Sequence, residues 1–334
     1  MSAATSALDT RLSPMSIKPP LQQAIIQQIF QSNHSTNLDA YFRDWFEEQC
    51  DAATGQVSVQ THREILRIVS FLQANLSRGE IVTKLHVQCG DEDLVAASID
   101  LAARIWLTLS IGTLPNSLSP GTSVAWNDGC LSSTVHSVWS LPQLSDSIKL
   151  PKSFHAANIE KIAGIKIEWT SNLADHLRLE DDDTRVLIYH QLSFLEIHKE
   201  DRRSIFPDGL IEETICTMGL LIPSADKTSR NWFHKKQKEL GLDPKAGTYG
   251  PLNAAKRQIE HFKYWRDRLT VLKQTFDESE PKTISLWWYD DRKKVQWYTF
   301  WIAALVLLLT ILFGLTQSVA GVVQAWAAVR SLSD

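Results

Sequence analysis

Residues 295–329 carry no charged side chain over a run of 35 positions, centred on WIAALVLLLTILFGL. Crossing a hydrocarbon core of ~30 Å takes ~20 mostly apolar residues at 1.5 Å of rise each. Residues 297–315 alone give about 28 Å of helix, and no other stretch of the chain approaches this length of apolar sequence. The run predicts a transmembrane helix over 295–319, with 320–334 as a short tail that either extends the helix or lies in the far interface. Gly314 and the triplet Thr316-Gln317-Ser318 mark the expected exit from the hydrocarbon.

The flanks predict orientation. Arg292, Lys293 and Lys294 precede the run, whereas Arg330 is the one basic residue after it. Cytoplasmic flanks carry the Lys/Arg excess, so the N-terminal side is expected in the cytosol. Trp287, Trp288, Trp297 and Trp301 belong to an aromatic cluster suited to an interfacial belt on that side. The opening MSAATSALDTRLSPMSIKPP has no apolar core of a signal peptide. Four cysteines, none in a Cys-x-x-Cys pair, fit a reducing compartment and support neither a thiolate zinc site nor a redox motif. The expectation is a single-pass, tail-anchored protein of the endoplasmic reticulum or another endomembrane rather than the mitochondrial outer membrane, with the bilayer as one partner and a protein as another.

The sequence ahead of the anchor reads as α+β: mainly α, with a small central antiparallel β-hairpin unit. Residues 1–20 read as a flexible arm and 21–145 as a helical N-terminal domain. Within it, apolar stripes recur at helical spacing, and Thr61-x-x-Glu64 and Ser77-x-x-Glu80 are capping boxes. Residues 150–222 change texture. Ile165-Lys-Ile-Glu-Trp169 alternates as a strand, and His176–Leu179 with Arg185–Tyr189 flank the acidic turn Glu180-Asp-Asp-Asp-Thr184. Residues 226–280 read as a basic helical region. Between 227 and 273 twelve Lys/Arg stand against four acids, a net of +8 in a chain whose total is −4. A helix over 253–276 is expected there, with Ile259, Phe262, Trp265, Leu269, Leu272 and Phe276 as its apolar stripe. Lys256, Arg257, Lys263, Arg266, Arg268 and Lys273 form its predicted basic surface, facing an anionic leaflet. Residues 281–294 read as a juxtamembrane linker.

Two segments, IEWTSNLADHLRLEDDDTRVLIYH and SLWWYDDRKKVQWYTFWIA, resemble a family of uncharacterised fungal proteins. The resemblance rests on Trp169, Thr170, Asn172, Leu173, Ala174, Asp175, His176 and Leu177, then on Trp287, Trp288, Asp291, Arg292 and Trp297. It implies a helical body with a C-terminal anchor and carries no activity.

Chemistry-bearing motifs are sparse. The Asn33-to-Asp39 stretch matches the Asn-His-x-x-x-x-Asp pattern of membrane glycerolipid acyltransferases, but Phe206-Pro-Asp-Gly209 lies too far along the chain to complete it. His176, Asp181, Asp183 and His190 are candidate metal ligands if the hairpin closes. An acidic run at a tip otherwise reads as a solvated turn, so no metal, cofactor or catalytic residue is assigned. Phosphate-binding loops, dinucleotide fingerprints, serine-hydrolase elbows and zinc-protease motifs are missing. The sequence therefore favours a membrane-tethered helical interaction module. The alternatives are a tethered enzyme with a site in 165–190 and a winged-helix-like nucleic-acid binder, which tethering disfavours.

Overall fold

A computed structural model describes residues 8–12, 17–30, 37–86, 91–113, 121–139, 148–279 and 294–331. The chain divides into two units, Met1–Glu278 and Ser279–Asp334.

The first unit is α+β. Its early helices are α1 (Pro19–Phe30), α2 (residues 39–52), α3 (His62–Gln73), α4 (Arg78–His86) and α5 (Glu92–Leu107). Both capping boxes form. Glu64 N–H donates to Thr61 Oγ1 while the Glu64 carboxylate accepts from Thr61 N–H. Ser77 and Glu80 exchange the same pair of bonds at the start of α4. The centre of α5 is buried all round, with Ile99, Leu101, Ile105 and Trp106 fully inside, as expected of a helix surrounded by others. Helix α2 docks on its end: Tyr41 Oη donates to Ile105 O at 2.7 Å, and Trp45 Nε1 to Arg104 O at 2.9 Å. Just after Tyr41 α2 loosens into a π turn, Phe42–Phe46, which contains Trp45.

After α6 (Leu131–Val138) and α7 (residues 156–163) comes a three-stranded sheet of order β1-β3-β2. The β2 (Leu179–Glu180) and β3 (Arg185–Tyr189) strands form the expected antiparallel hairpin. Strand β1 (Lys166–Thr170) joins β3 in parallel, so the sheet is mixed. Val186, Leu187, Ile188 and Tyr189 are all buried, which makes β3 the central strand and leaves β1 at an edge. Helices α8 (Leu192–Glu200), α9 (Leu210–Leu221) and α10 (Lys227–Leu240) follow. One hydrophobic cluster gathers Ile25, Trp106, Ile188, Met218, Trp265 and Phe276, so residues 21–145, 150–222 and 226–280 share a core.

The helix expected over 253–276 is corrected. Its first half is irregular apart from a 3₁₀ turn, Ile259–His261, and the α-helix is α11, Arg266–Glu278. Ile259 N–H donates to Ile148 O, and the Glu213 carboxylate accepts the N–H groups of Lys263, Tyr264 and Trp265 at 2.7–2.8 Å. These long-range bonds displace the helical ones. The apolar stripe is nonetheless buried, from Ile259 through Phe276.

The second unit holds α12, Lys294–Ser331. Its 38 residues correspond to about 57 Å. The helix runs on through Gly314 and the polar triplet, so residues 320–331 extend it rather than forming a separate tail. Within residues 298–326 an 18-residue window reaches a mean hydropathy of 2.3 with none of it buried, and by length and composition the helix can cross a membrane. Thr310 and Thr316 donate their hydroxyls back to Val306 O and Leu312 O, which satisfies both within the helix.

Candidate functional site

A cleft of about 800 Å³ opens along β1 in the first unit. One wall is residues 166–172, running the length of the strand and past its end. The facing wall is α2, which contributes Asp44, Trp45, Glu48 and Gln49. Asp44 and Trp45 lie within the π turn, which also shifts the register of Glu48 and Gln49 after it, a distortion that often accompanies functional sites.

Asn172 and Asp175 make the floor. Asn172 Oδ1 accepts Ser110 N–H at 3.2 Å and Ala174 N–H at 3.3 Å; its Nδ2 donates to Thr122 O at 3.0 Å and Asp175 Oδ2 at 2.7 Å. Asp175 Oδ1 accepts Thr122 N–H at 2.8 Å. A Cβ on Gly121 would stand 2.6 Å from Asp175 Oδ2, so the approach admits only glycine without a shift. With every amide valence of Asn172 filled, this cluster is rigid scaffolding.

Ser171, His190 and Asp44 meet in the cleft, but not as a nucleophilic triad. His190 Nε2 lies 3.3 Å from Ser171 Oγ and 3.8 Å from Asp44 Oδ2, so both contacts fall on one nitrogen. Nδ1 accepts from Asp243 N–H at 3.5 Å. Nδ1 thus faces a backbone donor and no carboxylate orients it, and the Gln191 amide also lies 3.5 Å from Nε2, so the relay of a nucleophilic triad is not assembled. Burial pushes the His190 pKa down to about 4, which keeps the ring neutral.

The charged groups around the cleft are unequally matched. Asp44 pairs with Arg43 at 2.5 Å, and Glu168 with Lys166 at 2.6 Å and Arg185 at 3.0 Å. The Lys166 bond is the main cause that holds the Glu168 carboxyl low. Glu180 is bonded to Arg178 and Arg185, and Asp175 to Arg178. Among the described residues Glu48 has no such partner. Desolvation and then the neighbouring Asp44 raise its pKa. Three buried polar atoms of cleft residues also lack partners, Gln49 Oε1, Trp169 Nε1 and Arg185 Nε.

The metal candidates do not converge. His176 is fully buried, its Nδ1 accepting Tyr189 N–H at 3.1 Å and its Nε2 donating to Thr217 Oγ1 at 2.7 Å. Asp181 and Asp183 stand at the exposed turn and His190 faces the cleft. Among the described residues no group of three His, Cys, Asp or Glu side chains is placed to hold an ion. His34 of the acyltransferase-like stretch lies outside the described residues.

The basic surface is corrected in part. Arg257 is 8% and Lys273 7% exposed. Arg257 donates to Leu150 O at 2.7 Å, and Lys273 pairs with Asp277. Arg268 donates to Ala174 O and His176 O at 2.7 and 2.6 Å. Arg257 and Arg268 close backbone gaps in the body and Lys273 is held by a carboxylate; the +8 of the segment is a count of charges and not a surface. Lys256 is exposed, Lys263 lies 5.0 Å from the Tyr264 ring centroid, and Arg266 is half-buried at the start of α11. Of the anchor flank, Trp287, Trp288, Arg292 and Lys293 lie outside the described residues. Lys294 and Trp297 fall in the first turn of α12, and Trp301 is half-buried one turn further on.

No protein-family model, curated protein or solved structure matches the chain.

The cleft escaped the sequence reading because its walls come from residues 44–49 and 166–175, over a hundred positions apart. Trp169, Asn172 and Asp175 stood out within one unusual stretch, but nothing local marks Glu48 or Gln49.

Proposed function

We propose that the chain is a single-pass, tail-anchored membrane protein whose α+β body faces the cytosol and serves as a protein-interaction module. The observation that carries the anchor is α12, whose Ile302, Leu307, Phe313, Val319 and Val322 are 61–69% exposed. Water does not tolerate an apolar surface of that extent, whereas a bilayer requires it. The Lys/Arg excess at 292–294 supports the orientation. An interaction role draws support from the cleft: an open strand edge and unmatched polar groups suit recognition, and no carboxylate orients His190 through Nδ1 for acyl transfer by Ser171.

The test uses the full chain with a glycosylation acceptor appended after Asp334 and expressed with microsomes. The protein should resist alkaline carbonate extraction and gain a glycan on the appended tag. Extraction into the soluble fraction would remove the anchor; a glycan at Asn33 or Asn75 in place of the tag would reverse the orientation. Proximity labelling from the body should then mark cytosolic proteins.

A further inference from the structure

Strand β1 is the outermost in the order β1-β3-β2. Its pairing with β3 fixes which backbone groups are engaged. Lys166 N–H donates to Thr184 O at 2.8 Å, and Thr170 O accepts His190 N–H at 3.2 Å. In a parallel ladder alternate residues turn both backbone groups to the same side. Residues 166, 168 and 170 thus face β3, and Ile167 and Trp169 present N–H and C=O to the open edge. That edge is the wall of the cleft. Five residues of strand span about 17 Å, enough for a short added strand.

The surroundings select what the strand carries. Among the charged side chains lining the cleft, five are carboxylates and three are Lys or Arg. Four of the carboxylates have cationic partners, as described above, and Glu48 is the one left over. Beside it, Gln49 is 2% exposed and its Oε1 accepts no hydrogen bond. Across the cleft, Trp169 Nε1 is a buried donor without an acceptor. A buried polar atom without a partner destabilises the free protein, a loss that a ligand with matching groups recovers. An acidic strand meets Glu48 unfavourably, and an apolar strand leaves all three groups unmatched.

We propose that the cleft binds an extended peptide that adds a strand to the free edge of β1 and sets a Lys or Arg side chain against the Asp44–Glu48–Gln49 wall. The proposal rests on the interaction-module reading and names the partner class for it: a basic linear segment of another protein. Trp169 Nε1 donates to a carbonyl of the same segment.

The full chain in lipid nanodiscs is exposed to a library of random linear peptides displayed on phage. Enriched peptides should combine β-forming residues with a Lys or Arg, and the corresponding synthetic peptide should bind in solution. Its affinity should fall about tenfold or more for Glu48→Lys, as loss of a complementary interfacial charge predicts. Glu48 is exposed, and an unchanged melting temperature of the variant would show an intact fold. Methylation of alternate peptide amides should abolish binding, which separates strand addition from attraction of a free amine. Amide exchange at Ile167 and Trp169 should slow in the complex. Enrichment without basic residues, affinity indifferent to Glu48→Lys and to amide methylation, or no enrichment at all would overturn the proposal. Proximity labelling that still recovers cytosolic proteins would then leave the interaction-module reading standing, whereas loss of membrane retention bears on the anchor alone.

Discussion

Asp181, Asp182 and Asp183 hold φ of +51°, +51° and +62°, three successive left-handed residues at the tip of the β2–β3 hairpin. The left-handed region costs a non-glycine residue roughly 1 kcal/mol, less for Asp, whose side chain bonds locally. Thr184 closes the turn by donating both its N–H (3.2 Å) and its hydroxyl (2.7 Å) to Asp181 O. Asp182 is exposed, so Asp182→Gly should relieve strain without removing a contact. It should raise stability by up to about 1 kcal/mol in denaturant unfolding. The turn was legible as such because aspartate clusters favour turns; its handedness was not. At the same scale, burial lowers the pKa of His176 to about 3 and of His190 and His198 to about 4. The unfolded chain protonates all three near pH 6.5, and the folded one does not until about pH 4. Between these values the unfolded state binds more protons, so stability is lost as pH falls through that window. The slope should be on the order of 3 kcal/mol per pH unit around pH 5, measured by denaturant melts across the range. His198 packs its ring 4.6–5.1 Å from those of Phe30, Phe194 and Phe206. His198→Phe should reduce that slope by roughly a third; an unchanged slope would mean that this ring titrates in the folded protein.

Among the elements, α11 shows why a correct stripe can predict the wrong helix. Spacings of three and four from Ile259 to Phe276 identify the buried face, and all six residues are in the core. Helix formation also needs backbone N–H groups free to bond four residues back. Glu213 on α9 takes three of them instead, at Lys263, Tyr264 and Trp265. The capping boxes at Thr61 and Ser77 were legible because both partners lie three residues apart; Glu213 acts across fifty. Its pKa is raised, burial outweighing the three donated bonds, so the carboxylate is held at a cost and its removal exposes more than it relieves. Glu213→Ala leaves one buried and two part-buried backbone donors without their partner and should destabilise by about 2 kcal/mol. Differential scanning calorimetry would show the lower melting temperature, and amide exchange at 263–265 should accelerate first. A variant as stable as the parent would show that the segment is held by its apolar stripe alone.

For the whole molecule the decisive contrast is between two ways of using apolar residues. In the first unit Ile, Leu, Val, Phe and Trp from residues 8 to 276 converge on one core, and exposed large hydrophobics are few, Leu240 and Val271 among them. Along α12 the same residue types face outward from Ile302 to Trp326. Composition distinguishes these regimes directly, since an uncharged run of 35 residues has no polar face to turn to water. The cleft is a property of assembly and has no such signature: its walls are set by how α2 docks on α5 and by which strand ends the sheet. A body with its own core should not need the bilayer to fold. Expression of residues 1–278 alone should therefore give a soluble monomer that unfolds in one cooperative transition, with matching midpoints by circular dichroism and tryptophan fluorescence. Its unfolding should track pH through the buried histidines, as in the full chain. The full chain should instead require detergent or lipid and partition with membranes. If the truncated body aggregates, or melts broadly with separated midpoints, then α12 completes the core. Its outward apolar surface would then be a protein contact and not a lipid one.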